Sequence, residues 1–394
     1  YIGTSVSAAA DTLSRAPNEI LTQNRLFNQH ISTLIGCSIS TLAYQHISTL
    51  SLHLNQQLVN DPNSASRKKD HIELAFESQT SALQNDTRFY YEPLLQGHAG
   101  ARDLSKQFLG KTLKTPIWIS SMTGGTEQAG RINRHLAQAC NEFGMGMGLG
   151  SCRRLLDDDT YFEDFNLRPI IGEKQPFFAN LGIAQIETLL ENGSIDKINH
   201  LVAKLGADGL IVHVNPFQEW LQPEGDHFNK PPLETIQNLL ELVDFQVIVK
   251  EVGQGMGPES IKALLKLPIA ALDFGAYGGT NFSRLELLRS SEGHASLYKN
   301  LAYIGHTATE MTEFVNVASR ELGNERKCAE VIISGGIGNF LDGYYHMQKL
   351  QLNSVYGQGS AFLKPAQQDY HALKTYVESQ REGLALCSAY LKVK

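Results

Sequence analysis

Residues 116–150 read PIWISSMTGGTEQAGRINRHLAQACNEFGMGMGLG, and the fold is predicted from this stretch outward. An apolar run, Pro116 to Met122, is followed by a helical pattern and by a second apolar run, Met145 to Gly150. Within RINRHLAQACNEFG, Gly144 supplies a helix stop after apolar residues spaced three and four apart, which are Ile132, Leu136, Ala139, Cys140 and Phe143. The stretch therefore predicts a strand, a helix and a second strand.

Six further apolar runs alternate with helical stretches along the rest of the chain. They are 176–181, 208–214, 245–251, 269–274, 331–334 and 354–357. Eight buried strands separated by helices, within roughly 250 residues, are typical of a (β/α)8 barrel. A doubly wound sheet of about five or six strands fits this count less well. We therefore predict an α/β fold, a (β/α)8 TIM barrel, over residues 63–394.

Residues 1–62 differ from the rest, because they are rich in Ser, Thr, Asn, Gln and Leu, lack lysine and contain QHISTL twice. We predict a polar N-terminal extension that is loosely ordered, or translated sequence upstream of the true start. A targeting peptide is the alternative, although no cleavage site marks one.

The composition is that of a soluble globular protein, with 42% hydrophobic and 19% charged residues. A net charge of −7 gives no reason to expect nucleic acid or an anionic membrane as a partner. No apolar run reaches the roughly 18 to 20 residues of a spanning helix. Five scattered cysteines without CxxC spacing favour reduced thiols in the cytoplasm and argue against a zinc site.

Polar and glycine-rich segments follow the predicted strands. Because the loops after the strands of a barrel meet on one face, these segments are expected to form one site. They read SMTGG, GSCRR, ANLG, HVNPFQE, KEVGQG, GAYGGT, SGGIGN and GQGS.

The last two of these loops predict a phosphate site. Their glycines leave backbone N–H groups uncovered, as phosphate cradles do: Gly335, Gly336, Gly338, Gly357 and Gly359. The loops after strands seven and eight commonly hold a phosphate in barrels. The alternative is a set of ordinary glycine turns.

Lys250 ends an otherwise apolar strand, where a lysine is costly to bury without an anionic or electron-rich partner. An ion pair with Glu251 is the structural alternative, but alternation along a strand directs that side chain to the opposite face. Thr123, Asn180 and Thr280 end other runs and are candidates to bond a planar polar ligand; singly, each is more typical of a turn.

A second anion site is indicated by the cationic residues Arg67 to Lys69 with His71, and by Arg153 with Arg154. If these clusters meet, they would bind a diphosphate, with Glu219 holding its magnesium ion. A solvated charged face is the equally weighted alternative.

At this point the motifs RKKDH, SSMTGG, GLGSCR, ANLG, HVNPFQEWLQPEGD, VKEVG, GGTNF and SGGIGNFLDG stand in one order over about 300 residues. From about residue 64 onward the chain resembles the type 2 isopentenyl-diphosphate delta-isomerases. The resemblance implies an FMN-dependent barrel that interconverts isopentenyl and dimethylallyl diphosphate in isoprenoid biosynthesis, with magnesium, and with NADPH as reductant. It also implies a homo-oligomer.

By position, the resemblance places substrate contacts at Arg67, Lys68, His71, Arg153, His213, Asn215 and Gln218. It places flavin contacts at Ser121, Met122, Thr123, Ser151, Asn180, Lys250, Thr280, Gly336, Ile337, Gly338, Gln358 and Gly359. Gln218 would lie beside the reacting carbons as the catalytic residue, and Glu219 would be the metal ligand.

Three residues depart from the family pattern. Cys152 stands where glutamine is common, Gly338 stands where arginine is common in SGGIR, and Gly275 replaces a hydroxyl residue five positions before Thr280. They affect individual flavin contacts, while a cradle made of backbone groups does not depend on them.

Two other functions fit parts of the pattern. An FMN barrel oxidoreductase of the hydroxy-acid oxidase or dihydroorotate dehydrogenase type would use the same phosphate loops and Lys250. It would have no use for the cationic cluster at Arg67 or for Gln218 and Glu219. A non-catalytic flavin- or phosphate-binding protein is the third candidate.

Overall fold

The computed structural model describes residues 64–98, 100, 102–120 and 127–394. The described residues fall into two compact units, 64–85 and Asp86–Lys394. The first unit contains the helix Ser64–Leu74 and a short 3-10 helix, Ala82–Gln84. The predicted extension at 1–62 lies outside the described residues, and so does its predicted boundary with the barrel.

The second unit contains the strands, which are numbered in chain order. They are β1 (Phe89–Tyr91), β2 (Lys106–Phe108), β3 (Lys111–Leu113), β4 (Ile117–Ile119), β5 (Gly146–Gly148), β6 (Phe177–Gly182), β7 (Gly209–Val214), β8 (Gln246–Glu251), β9 (Ala271–Asp273), β10 (Glu330–Ser334), β11 (Asn353–Gln358) and β12 (Leu391–Val393). Strands β1 and β12 form an antiparallel pair, and β2 and β3 form a hairpin.

The α-helices of this unit follow the barrel strands. They are Glu127–Phe143, Phe162–Phe165, Arg168–Ile171, Ile183–Glu191, Ile195–Lys204, Pro216–Leu221, Pro232–Leu240, Pro258–Leu265, Phe282–Arg289, Glu292–Tyr298, Ala308–Leu322, Phe340–Lys349, Ser360–Gln368 and Tyr370–Tyr390. Within the described ranges, no helix is both long enough and apolar enough to cross a membrane.

Strands β4 to β11 form a closed barrel in which every neighbouring pair is parallel. Each strand pairs with the next one along the chain, and β11 closes on β4. Each of the predicted runs overlaps one of these strands, and the strands β6, β10 and β11 extend one residue beyond their runs at one or both ends, so the predicted (β/α)8 barrel is confirmed. Closure brings the carboxyl ends of all its strands to one edge.

Large apolar side chains fill the inside of the barrel. Trp118 of β4 packs with Phe178 of β6 and with Phe108 of the β2–β3 hairpin, at ring centroid distances of 5.9 and 6.4 Å. At Gly146 of β5 a Cβ would come within 2.5 Å of the Trp118 ring, so glycine makes room for the indole. The barrel interior is therefore a packed core, and space for a ligand has to lie beyond the strand ends.

A second apolar layer separates the strands from the surrounding helices. In the helix Glu127–Phe143 the whole apolar face expected from the sequence is buried: Ile132, Leu136, Ala139, Cys140 and Phe143. Gly144 follows the helix with a φ of 65°, a left-handed conformation that suits glycine. The predicted helix and its stop are thus confirmed, although the helix begins four residues earlier than the RINRH motif.

Candidate active site

A cavity of about 550 Å³ lies at the carboxyl edge of the barrel. It is bordered by residues that end or follow β4, β8, β9, β10 and β11. Predicted cofactor contacts that line it are Lys250, Thr280, Gly336, Ile337, Gly338, Gln358 and Gly359. Loops that are far apart in the sequence therefore meet around one space, as the barrel topology predicted.

The glycine loop after β10 packs directly against the loop after β9. Gly335 and Gly336 have φ values of 84° and 72°, which disfavour any other residue. A Cβ at Gly335 would come within 2.1 Å of the Ala276 carbonyl oxygen, so this position admits no side chain. At Gly275 a Cβ would lie 2.0 Å from the Glu251 carbonyl oxygen, which accounts for glycine where the family pattern has a hydroxyl residue.

Two helix N-termini lie beside this cavity, and they differ in how they are capped. The Asn339 side chain accepts from the N–H groups of Leu341 and Asp342, so the helix Phe340–Lys349 is capped by its own residues. The helix Ser360–Gln368 begins after Gly359, which has no side chain to cap it. The N–H groups of Phe362 and Leu363 donate to the Gly359 carbonyl, while those of Ser360 and Ala361 have no partner within the helix and can donate to an anion.

Two of the predicted flavin contacts are already engaged by the protein. The N–H group of Gly338 donates to Asp342 Oδ2 at 3.1 Å. The Gln358 side chain donates to the Ile337 carbonyl at 3.0 Å and accepts from Tyr376 at 2.8 Å. The Gln358 side chain thus joins the loop after β10 to the last helix, and its carbonyl oxygen accepts from the Ser120 N–H at 3.0 Å.

Ser120 is a cavity residue that the sequence did not single out. Its Oγ is buried and has no hydrogen-bond partner among the described residues. A Cβ at Gly357 would come within 2.8 Å of it, so glycine keeps the space in front of this hydroxyl open. An unpartnered buried hydroxyl beside an uncapped helix N-terminus fits a ligand that carries a phosphate.

Lys250 is buried at the end of β8, and its Nζ donates to the Glu251 carbonyl oxygen at 3.0 Å. The Glu251 carboxylate accepts instead from the N–H groups of Gly253, Gln254 and Gly255. The prediction that Glu251 is a poor ion-pair partner is confirmed. Burial lowers the pKa of Lys250, and the nearby charge of Asp273 opposes this effect.

His213 of β7 is held by Asn180 of β6. The Asn180 Nδ2 donates to the Leu149 carbonyl at 2.9 Å, which directs its Oδ1 toward His213 Nδ1 at 2.7 Å. These bonds assign the proton of the neutral ring to Nδ1 and leave Nε2 as an acceptor. Burial, and then the charge of Lys250, lower the pKa of His213 to about 3, so the ring is uncharged at neutral pH.

The HVNPFQE segment forms a bonded group at the end of β7. The Asn215 Nδ2 donates to Gln218 Oε1 at 3.0 Å and to Glu219 Oε1 at 2.9 Å. Its Oδ1 is buried without a partner among the described residues. The Gln218 Nε2 donates to Glu286 Oε1 at 3.2 Å, and Arg289 pairs with the other oxygen of Glu286 at 2.6 Å.

Sequence reasoning missed Glu286, which is only 2% exposed. It lies six residues after Thr280, in the helix Phe282–Arg289 that follows GGTN, where an acidic residue is normally taken for part of a solvated face. Its burial and its bond to Gln218 appear only in the folded chain.

Asp226 connects two residues that were predicted for the diphosphate end. Its N–H donates to Glu219 Oε2 at 2.8 Å, and its carboxylate pairs with Arg153 at 2.5 Å. Gly225 permits this turn, because a Cβ there would lie 1.9 Å from the Glu219 carbonyl oxygen. No group of three or more His, Cys, Asp or Glu side chains in the described ranges could hold a metal, so Glu219 would be a single protein ligand.

The remaining predicted residues are exposed or lie outside the described residues. Arg67, Lys68 and His71 are exposed on the helix Ser64–Leu74 of the first unit. Ser121, Met122 and Thr123 lie outside the described residues. Ser151 follows β5 and is exposed. The next residue, Cys152, is buried, and burial raises the pKa of its thiol to about 12. The four cysteines that the structure describes are free and buried.

Comparison with solved structures supports the fold. The chain is similar to a double-substitution variant of flavocytochrome b2 with sulfite bound, at 15% identity and a TM-score of 0.53 over 77% of this chain and 72% of that one. It is similar also to the recombinant flavin-binding domain of baker's yeast flavocytochrome b2, at 14% identity and a TM-score of 0.52 over the same shares. At these identities the likeness concerns the barrel architecture alone.

Comparison with curated proteins goes further, although no family model matches the chain. An isopentenyl-diphosphate delta-isomerase of Rickettsia felis is 32% identical over 81% of this chain and 90% of its own length. Proteins of the same name from Rickettsia akari and Mycolicibacterium vanbaalenii are each 34% identical, over 76% and 58% of this chain and 85% and 68% of their own lengths. These relatives confirm the family that the motifs predicted, and this chain belongs to the type 2 isopentenyl-diphosphate delta-isomerase family.

Proposed function

We propose that this protein is a cytoplasmic enzyme of isoprenoid biosynthesis that interconverts isopentenyl and dimethylallyl diphosphate by a 1,3-allylic proton shift. It uses reduced FMN and magnesium, with NADPH as the reductant. One observation carries the proposal: the glycine-lined cavity and the Asn215–Gln218–Glu219 group lie at the same edge of one barrel. The names of the curated relatives support the same activity.

The residues that line the cavity suit the cofactor. The uncapped helix after Gly359, the open space at Gly357 and the unpartnered Ser120 hydroxyl suit the phosphate of FMN. The carboxylate of Glu251 is bonded to the N–H group of Gly253 and does not pair with Lys250. The Lys250 ammonium therefore suits the polar edge of the flavin ring. When bound, reduced FMN would supply an electron-rich ring and a proton-carrying position beside the substrate.

The reaction requires a site that stabilises positive charge and excludes water. Protonation of the alkene develops cationic character on the tertiary carbon, which a preorganised negative charge stabilises best in a dry site. Glu286 is a buried carboxylate 3.2 Å from the Gln218 amide nitrogen, and because Arg289 pairs with its other oxygen it serves to fix the orientation of Gln218. Asn215 holds the other end of that amide, so Gln218 is presented in a single orientation to the reacting carbons.

The diphosphate end of the substrate would lie between Arg153 and Glu219. Arg153 pairs with Asp226 through the ends of its guanidinium group, which leaves other N–H groups for phosphate oxygens. Magnesium commonly takes one or two carboxylates and fills its shell with phosphate oxygens and water, so Glu219 suffices as its protein ligand. Arg67, Lys68 and His71 are further diphosphate contacts in this proposal, in their own site or in that of a neighbouring subunit of a homo-oligomer.

The deciding experiment is turnover of isopentenyl diphosphate without oxygen, with FMN first oxidised and then reduced, and with and without magnesium. We expect dimethylallyl diphosphate to form only with reduced FMN and magnesium, without net oxidation of the cofactor. An FMN-dependent oxidoreductase would instead turn over a reducing substrate and consume one oxidised flavin per turnover. If no isomerisation occurred under any of these conditions, the proposed function would be wrong.

A further inference from the structure

Lys364 lies on the helix Ser360–Gln368, directly after β11, and lines the cavity. Its side chain is exposed, and no hydrogen bond, ion pair or ring contact engages it among the described residues. The other lysine that lines the cavity, Lys250, is buried at the end of β8 and is bonded to the Glu251 carbonyl. Lys364 is therefore a cation of the cavity without a partner in the described part of the chain, beside the loops that follow β10 and β11.

The position of Lys364 on its helix directs it to the uncapped N-terminus. It stands four residues after Ser360, one turn into the helix. Side chains of a helix tilt toward its N-terminus, so the Lys364 ammonium reaches back over the first turn. The same cavity is lined by Gly359, which leaves that N-terminus uncapped, and by Ser120, whose hydroxyl has no partner among the described residues.

The loop after β10 supplies neither a cation nor a free helix end. Gly338 carries no side chain, and its N–H donates to Asp342. The helix that follows is capped by Asn339. A phosphate monoester carries a charge of about −1.5 to −2 at neutral pH, and the N-terminus of one helix supplies only about +0.5. An anion at the helix Ser360–Gln368 consequently needs a further positive charge, and Lys364 is placed to provide it.

We propose that Lys364 binds the phosphate of the flavin mononucleotide and makes the site select this cofactor over its unphosphorylated form. The proposal rests on the proposed function, since it assumes that the cavity takes a flavin. It adds that phosphate recognition in this chain depends on a side chain after β11, and not on the loop after β10 alone.

The test compares FMN with riboflavin, which has the same ring system and lacks the phosphate. The full chain, freed of bound flavin, is titrated with each compound, and quenching of flavin fluorescence gives the Kd. Loss of one charge-assisted hydrogen bond in Lys364→Gln is expected to raise the Kd for FMN about tenfold. The Kd for riboflavin is expected to stay unchanged. Lys364→Arg keeps the charge and is expected to retain most of the FMN affinity.

The matched control is Lys266→Gln, which removes a surface lysine paired with Glu325 and leaves the cavity lining unchanged. It is expected to bind both flavins as the parent chain does. Equal FMN affinity in Lys364→Gln and in the parent chain would overturn the proposal. So would an equal loss of FMN and riboflavin affinity, since that result indicates a structural role. A parent chain that binds neither flavin would overturn the proposed function, and this inference with it.

Discussion

The sharpest prediction concerns Glu219→Gln, which removes a negative charge and keeps the shape of the side chain. In the structure one carboxylate oxygen accepts from Asn215 Nδ2 at 2.9 Å and the other from the Asp226 N–H at 2.8 Å. An amide has a single acceptor oxygen, so one of these donors loses its partner. For a half-buried site we expect a loss of about 1 to 2 kcal/mol in the free energy of unfolding, which leaves the protein folded.

The effect on metal binding should be larger than the effect on stability. If Glu219 holds the magnesium of the substrate, the variant loses its charged protein ligand to that ion. Charge-assisted contacts contribute about 1.5 to 3 kcal/mol, which corresponds to roughly 10- to 150-fold weaker binding of magnesium. The magnesium concentration for half-maximal turnover should rise by that factor, and high magnesium should restore part of the activity.

The assay follows hydrogen isotope exchange into isopentenyl diphosphate by the reduced protein across a series of magnesium concentrations. The matched control is Glu224→Gln, the same change in the same loop, at a carboxylate that pairs with Arg289 at 2.8 Å. This control should show the magnesium dependence of the parent chain. Unchanged magnesium dependence in Glu219→Gln, or an equal shift in both variants, would refute the assignment of Glu219.

Three further predictions test other parts of the site. Gln218→Ala should lower kcat at least tenfold with little change in magnesium or substrate affinity, as rapid-quench and equilibrium binding measurements would reveal, because its contacts act on the reacting carbons. His213 has a folded pKa of about 3 against an unfolded value of 6.5, so its contribution to stability is present above pH 6.5 and declines as the pH falls toward 3. Denaturant unfolding at pH 7 and pH 5 should therefore show a loss of about 2 kcal/mol that His213→Gln lacks; an equal loss in both would contradict the assignment. Gly335→Ala, in which the new Cβ would overlap the Ala276 carbonyl, should lose flavin absorbance on gel filtration while far-ultraviolet circular dichroism stays that of the barrel.

The sequence by itself determined the barrel and much of the cavity. Apolar runs at strand spacing, separated by helical patterns with their own stops, predict eight parallel strands, and parallel strands bring their carboxyl ends to one edge. Residues that end or follow those strands, such as Lys250 and Gly336, are therefore assigned to one site by the sequence alone, and both line the cavity. This holds because their placement depends only on local periodicity and on the order of the strands.

The partners of the site residues were decided by tertiary structure alone. Glu286 bonds to Gln218 across 68 positions, and Asp226 bonds to Arg153 across 73. Nothing local in the sequence distinguishes such carboxylates from those of a solvated helix face, and the same applies to the Lys364 ammonium at the cavity. Their roles arise when barrel closure brings distant loops within hydrogen-bonding distance and removes water, since burial then makes each polar group depend on the partner that the fold provides.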